Sequence, residues 1–379
     1  MSESPPAGTF KLTIETPAAM PTMKAAVLRG KGRLEVLDVP VFAPRYDEFM
    51  LRVKACGVCG SDIRYFKGEN PWSLHTLGYE QENPPNMILG HEFSGKIVSE
   101  GRPREPSRIG ERVAVEPYRS CGECYYCRIG KHNICEFQEH HGHDHGWRGY
   151  EYAPGGMAEY TPAWRSHTYK LPSNVSYDEA TFIDGLAVAV RAVELGGVVP
   201  GSEILVIGGG PIGLLIAQAA KGYGANRAFL SDVYDKPLEV ASKLGVDDVI
   251  DARRAKVSDH VLKETGGLGV GVVFDTTGSA EAILDGLRAL QRGGTEVLLA
   301  GYHGAIPLDF SLISGDRAIR SLANNPYRTF QTAIDLMASR RVKVKPMITH
   351  VYPLSKIGEA FEVVTHKEEY GAIKAIIHP

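Results

Sequence analysis

Residues 204–213 restrict the fold of this chain more than any other stretch: they read Ile204-Leu205-Val206-Ile207-Gly208-Gly209-Gly210-Pro211-Ile212-Gly213. The apolar run is the length of a buried strand, and the apolar residues from Ile212 towards Tyr223 continue as a helix. The turn between them is Gly-x-Gly-x-x-Gly. There Gly208 permits the tight turn, Gly210 lets the backbone approach a pyrophosphate, and Gly213 lets helix pack on strand. Pro211 and Ile212 open a helix whose unpaired N–H groups and positive dipole end face the phosphates. Asp232 closes the next apolar run. A carboxylate there can accept both ribose hydroxyls of NAD; capping the next helix is its competing role.

The alternation continues beyond this turn. Ala228 to Asp232, Val246 to Ile250, Val270 to Asp275 and Glu296 to Ala300 are further strands, with helices expected over Pro237 to Leu244 and Ala280 to Leu290. This spacing predicts a doubly wound parallel sheet over residues 187–326. Residues 23–120, the first part of a domain expected over 23–186, have a different texture, with short β-rich runs such as Lys24 to Leu28, Phe49 to Lys54 and Ile97 to Ser99 broken by Gly and Pro. They read as an antiparallel, barrel-like unit. Helices near Thr329 to Ser339 and Ser355 to Thr365, with a strand at Ile373 to Ile377, are expected to return residues 327–379 to that unit. The class is α/β in two domains, and 379 residues at roughly 150 per domain agree. The first 22 residues, with Pro5, Pro6, Pro17 and Pro21, lack the basic start and apolar stretch of a secretory leader. They read as a flexible extension.

Lys plus Arg is 42 and Asp plus Glu is 45, a net charge of −3, which gives no general attraction for nucleic acid or an acidic membrane. No apolar run reaches the roughly 18 residues that span a bilayer. All six cysteines lie between Cys56 and Cys135, too few and too clustered for a disulfide scaffold. That pattern points to a reducing compartment, the cytoplasm, and to metal chemistry. Cys121, Cys124, Cys127 and Cys135 form Cys-x2-Cys-x2-Cys-x7-Cys in a lobe of residues 117–137. Four thiolates so spaced close a tetrahedron around Zn2+ with no position left for substrate, a structural site; two disulfides or an iron–sulfur cluster are the alternatives. Cys59, in Gly57-Val58-Cys59-Gly60-Ser61-Asp62, and His91, in Gly90-His91-Glu92, offer a thiolate, an imidazole and a carboxylate. Such a set suits a catalytic zinc with an exchangeable position. Taken alone, a buried cysteine and a core histidine are the more ordinary reading.

Taken in order, Cys59-Gly60-Ser61-Asp62, Gly90-His91-Glu92, the four-cysteine lobe and the Gly-rich turn resemble the zinc-dependent medium-chain alcohol dehydrogenases. The chain is most similar to the branch of sorbitol (polyol), threonine and sugar dehydrogenases, over about residues 23–379. The resemblance implies a GroES-like catalytic domain joined to a Rossmann domain, with the active site in the cleft between them. It also implies one catalytic and one structural Zn2+ per subunit, NAD as acceptor, and a homodimer or homotetramer. On the positions of this sequence, Cys59 and His91 match catalytic zinc ligands, and Glu92 matches a carboxylate that is a ligand in some members. Ser61 matches a hydroxyl that relays the substrate proton, and Asp62 a carboxylate that orients His91. The implied reaction is reversible oxidation of a secondary alcohol of a polyol, sugar or cyclitol by NAD+, with zinc as Lewis acid. An L-threonine-type or general secondary-alcohol dehydrogenase, a zinc-free reductase of the same superfamily, and a non-catalytic NAD- and zinc-binding protein are the rival readings.

The chain departs from the family pattern at two places. Asp184, in Phe182-Ile183-Asp184-Gly185-Leu186, stands where the polyol branch often has a glutamate, and its shorter side chain leaves direct ligation or a bridging water open. Arg64 replaces a histidine that continues the proton relay in many relatives; arginine cannot shuttle protons near neutral pH, so it is either bypassed or a surface charge. The run His140-His141-Gly142-His143-Asp144-His145 has three readings: loop packing, lining of the substrate cleft, or a third metal site. Trp147, Tyr150 and Tyr152, just before Gly156-Met157-Ala158-Glu159-Tyr160, are weak substrate-contact candidates, with core or surface packing as the plainer role.

Overall fold

In the computed structural model, which describes residues 21–71, 73, 79–143, 150–301 and 304–379, Glu203–Ile207 is a strand buried on both faces. Ile204 and Val206 join a core with Ile183–Gly196 and Pro211–Gly222, while Leu205 and Ile207 join another with Val261 and Leu287. A strand with helices on both faces has no polar side, which is why its buried residues, Ile204 to Ile207, are all apolar. Among the described residues five further strands of its sheet follow: Arg227–Asp232, Asp248–Asp251, Val270–Asp275, Leu290–Leu298 and Ala318–Ser321. All six are parallel, in the spatial order third, second, first, fourth, fifth, sixth. That is the order of a doubly wound dinucleotide-binding sheet, whose ligand crevice opens at the carboxyl ends of the strands around the first. A Cβ on Gly213 would stand 1.8 Å from the Gly208 carbonyl oxygen, so only glycine lets the helix start this close to the turn.

Expected and observed elements differ by one to three residues at most ends. The exceptions are Glu92–Glu100, expected only from Ile97, and Leu290–Leu298, which begins where the preceding helix Ala280–Ala289 stops. Leu290 pairs with Val270, and the register then slips through Gly293 and Gly294 before Thr295 pairs with Val272. Two adjacent glycines hide that early pairing from an apolar-run reading.

The other half is built on a mixed sheet of Thr168–Lys170, Arg112–Val115, Glu92–Glu100, Glu48–Gly57, Lys374–His378 and Ile348–Pro353, with Tyr160–Trp164 on Glu48–Gly57. A smaller sheet joins Arg33–Pro40, Thr22–Gly30 and Met87–Ile88. The first strand thus begins at Thr22, and residues 1–20 lie outside the described ones. The last strand pairs antiparallel with Glu48–Gly57, Ile376 opposite Gly57. Helix Ile183–Gly196 runs unbroken through the point where the sequence places a domain boundary. Its first turn carries Asp184, and the rest packs in the core of the parallel sheet. Among the described residues no helix is long and apolar enough to cross a membrane.

Candidate active site

The site is assembled where three strand ends meet. Cys59 caps the helix Gly60–Phe66 directly after the strand Glu48–Gly57, while His91 and Glu92 sit at the start of Glu92–Glu100. Donor atoms of Cys59, His91 and Glu92 lie within 4.8 Å of one another. Asp62 is fully buried and holds this corner together. It accepts the backbone N–H of Cys59 at 2.8 Å and of Gly90 at 3.2 Å, tying the two motifs through one carboxylate. Its oxygen is 3.7 Å from His91 Nδ1, beyond hydrogen-bond range, and that nitrogen has no partner among the described residues. Ser61 Oγ is buried and likewise unpaired.

Burial alone would lower the pKa of His91, yet the charges of Cys59 and then Asp62 outweigh it and push the value well above 6.5. A buried space that so favours positive charge beside a thiolate and carboxylates is one that a divalent cation fits, since binding it displaces the proton. Cys56, one turn of the pleat away, is a different case. Burial, then Asp62 and Glu92, push its thiol well above 9.0, so it stays a neutral core group.

Lys374 was not singled out by sequence reasoning. It is 3% exposed, ion-paired with Glu92, itself 5% exposed, and its ammonium stands 5.6 Å over the Phe182 ring. A Cβ on Gly57 would come within 2.7 Å of both Glu92 Oε2 and Lys374 Cε, so the bare backbone there makes room for the pair. The available signal was a lone lysine inside the apolar terminal strand Ile373 to Ile377.

Asp184 lies outside the Cys59–His91–Glu92 donor set. Its carboxyl is raised to about 6 by burial, with His91 pulling it down and Glu92 pushing it up, so it belongs to the electrostatic surroundings of the centre. The adjoining Gly185 brings the cofactor helix in: a Cβ there would be 3.3 Å from Ile212 Cδ1 and 4.0 Å from Glu92 Oε1. At the other end of the crevice Asp232 accepts N–H groups from Gly209 at 2.6 Å and Tyr234 at 2.9 Å. It therefore ties the Gly-rich turn to Tyr234, the residue before the helix Asp235–Lys243, whose N-terminus has no side-chain cap. Arg64 pairs with Glu69 at 2.7 Å near the surface, as a charge and not a relay group.

The four-cysteine lobe holds its sulfurs close. Cys121 is 4.0 Å from Cys127 and 3.5 Å from Cys135, and Cys124 is 3.9 Å from Cys135. A tetrahedron of 2.3 Å zinc–sulfur bonds has edges of about 3.8 Å, so the set fits a single zinc ion. The thiols are all free, and an iron–sulfur cluster, whose own atoms fill the middle, would spread them wider. Backbone N–H groups of Cys121, Glu123, Cys124 and Phe137 point at these sulfurs, as anionic thiolates require.

Tyr150 and Tyr152 are not brought to the Cys59 centre. Both pack with Met23, Val39, Phe42 and Ile88, and the Tyr150 hydroxyl donates to Glu48 at 3.0 Å. Their apolar faces complete a satellite core, the plainer of their two expected roles. Trp147 and His145 lie outside the described residues. His140, His141 and His143 are all buried, and the rings of His140 and His143 lie 5.6 and 4.7 Å from that of His91.

Two family models match the chain: "Alcohol dehydrogenase GroES-like domain" over residues 45–173 and "Zinc-binding dehydrogenase" over residues 211–339. Sorbitol dehydrogenase of Pongo abelii is 33% identical over 91% of this chain and 93% of its own length. L-threonine 3-dehydrogenase of Pyrococcus abyssi is 31% identical over 87% of this chain and 91% of its own. An Escherichia coli CFT073 alcohol dehydrogenase, solved in complex with the cofactor NADH, superposes with a TM-score of 0.82 at 26% identity, covering 94% of this chain and 99% of that one.

Proposed function

The chain belongs to the family of zinc-dependent alcohol dehydrogenases with a GroES-like and a Rossmann domain, and on that premise we propose that it oxidises a polyhydroxylated secondary alcohol with NAD+. The class of reaction, zinc-dependent oxidoreduction of an alcohol or polyol, follows from the family. The observation that carries the finer reading is the polarity of the centre: Asp62, Glu92 and Asp184 surround one thiolate and one imidazole, with Lys374 opposite. Such surroundings suit a substrate whose further hydroxyls need partners, and not an aliphatic chain.

Cys59, His91 and Glu92 hold the catalytic zinc in this reading, and Asp62 fixes the backbone of Cys59 and of Gly90, the residue before His91. When bound, zinc supplies Lewis acidity that lowers the pKa of the alcohol. Ser61 takes the alcohol proton in this reading, supported by an Oγ that is buried and has no hydrogen-bond partner among the described residues. Gly208, Gly210, Pro211, Ile212 and Gly213 receive the dinucleotide phosphates, and Asp232 the ribose. Cys121, Cys124, Cys127 and Cys135 hold the structural zinc. Assembly as a homodimer or homotetramer and a cytoplasmic location complete the reading.

The test is NADH formation across polyols, aldoses, inositols, threonine, 2-butanol and cyclohexanol, alongside zinc analysis. A vicinal polyol or sugar is expected to give the highest kcat/KM. Higher efficiency on the two simple alcohols overturns the polyol reading and leaves a general secondary-alcohol dehydrogenase.

A further inference from the structure

The histidine run docks against the active site through a contact that only glycines permit. Gly142, at φ +66°, lies flat on Gly90, and a Cβ on it would stand 2.5 Å from the Gly90 carbonyl oxygen. Its N–H donates to Pro154 at 2.9 Å, and the Gly90 carbonyl in turn accepts the N–H of Gly156 at 2.6 Å. The residue after Gly142 is thereby set beside the residue after Gly90. The His143 ring centre is 4.7 Å from that of His91, 4.6 Å from Tyr65, and 4.1 Å from His140, on which it stacks.

Two neighbours on one loop then behave oppositely. His141, fully buried, has Nε2 at 2.8 Å from the Pro162 carbonyl and Nδ1 at 3.3 Å from that of Pro117, so its ring is a structural tie. His143 is 8% exposed, yet neither ring nitrogen has a partner among the described residues. Asp62 is the carboxylate at hand, with donor atoms of Asp62, His91 and His143 within 4.8 Å of one another. Its oxygens face the N–H groups of Cys59 and Gly90 instead. Burial of an unpaired imidazole is costly unless something outside the chain completes it.

We propose that His143 reads the substrate: its imidazole hydrogen-bonds a hydroxyl on a carbon next to the one oxidised. A neutral imidazole presents one donor and one acceptor, the same pair a hydroxyl presents in return. The other occupant of this corner would be a cation on Asp62, His91 and His143. It would need His91 to bridge two metals through both nitrogens. The inference rests on the polyol reading above and names the residue that enforces it.

The experiment replaces His143 by phenylalanine, which keeps the stacked ring and removes both nitrogens. kcat/KM for the best vicinal polyol is expected to fall about 100-fold, while that for 2-butanol changes less than threefold and zinc stays at wild-type content. His143→Asn, with a donor and an acceptor restored, is expected to recover part of the polyol preference. An equal fall on both substrates, or an unchanged ratio, overturns the assignment. So does a third metal equivalent per chain that His143→Phe removes. In the wild-type enzyme bound to NADH, the 15N resonances of His143 are expected to shift on addition of polyol, and no shift overturns the proposal without relying on any variant. A wild-type enzyme that prefers 2-butanol defeats the polyol reading itself, and that result is seen before any variant is made.

Discussion

The two thiolate centres of this chain are built by opposite means. The lobe at Cys121, Cys124, Cys127 and Cys135 draws its donors, and the N–H groups that steady them, from residues 121–137. The centre at Cys59, His91 and Glu92 takes its support from far away: Asp62 spans to Gly90, and Lys374 reaches Glu92 from 282 residues further on. A closed, self-sufficient set can brace the fold but offers nothing to a substrate. An open set keeps a position free, and distant groups then hold its donors in place.

The contrast is most directly broken by exchanging one sulfur in each centre. Cys59→Ser is expected to lower kcat/KM by about 1000-fold, since Lewis-acid catalysis supplies several kcal/mol, while the melting temperature changes little. Cys124→Ser is expected to lower the melting temperature or break the oligomer, with the remaining folded enzyme turning over normally. A Cys124→Ser protein that is fully stable and inactive reverses the two assignments.

The distant support of the open centre is tested at Lys374. Lys374→Met leaves Glu92 buried without its cation, at an expected cost of about 3–5 kcal/mol in urea unfolding. Adding Glu92→Gln removes the orphaned charge and is expected to recover at least half of that loss. Strictly additive losses would mean that the two side chains do not support each other, and that the centre is as local as the lobe.

The same difference decided what could be read from the sequence. Cysteine spacing in the lobe, the Gly-rich turn and the carboxylate of Asp232 are local patterns, and local geometry makes them legible. Cys59, His91 and Glu92 were legible only through a family resemblance, because spacing alone does not show that 59 and 91 meet. Lys374 was missed because its role depends on Lys374–His378 pairing antiparallel with Glu48–Gly57. Asp184 and Tyr150 became candidates through the same resemblance; the fold puts the second in a satellite core.

Inside the parallel sheet, Glu296 is a buried carboxylate with no cation paired to it among the described residues. It is fully buried, and neither oxygen is hydrogen-bonded among the described residues. Burial, then Asp275, raise its pKa from 4.5 to about 9. The folded state therefore keeps a proton that the unfolded chain releases above pH 4.5, so stability falls as pH rises from there to about 9. At about 1.4 kcal/mol per pH unit, Glu296→Met is expected to gain about 3 kcal/mol at pH 7. The gain should vanish near pH 4.5 and grow towards 9. A gain independent of pH would mean that the fold does not hold the proton.

Asp232 is the third way to keep a carboxylate: neither a distant cation nor a proton, but two backbone N–H groups, from Gly209 and Tyr234. It lies at the end of the strand Arg227–Asp232, where a 2′-phosphate would meet it. The nearby cations are already engaged, Arg253 with Asp251 at 2.8 Å and Lys236 with Glu239 at 3.1 Å. NAD is therefore expected over NADP. Asp232→Ser removes the charge and keeps a small acceptor for the backbone, so the ratio of kcat/KM for NADP over NAD should rise roughly tenfold, the equivalent of about 1.4 kcal/mol. Asp232→Asn, isosteric and neutral, should move it in the same direction. If the ratio rises with serine but not with asparagine, side-chain size and not charge sets the preference, and the carboxylate is there to tie the Gly-rich turn to its helix.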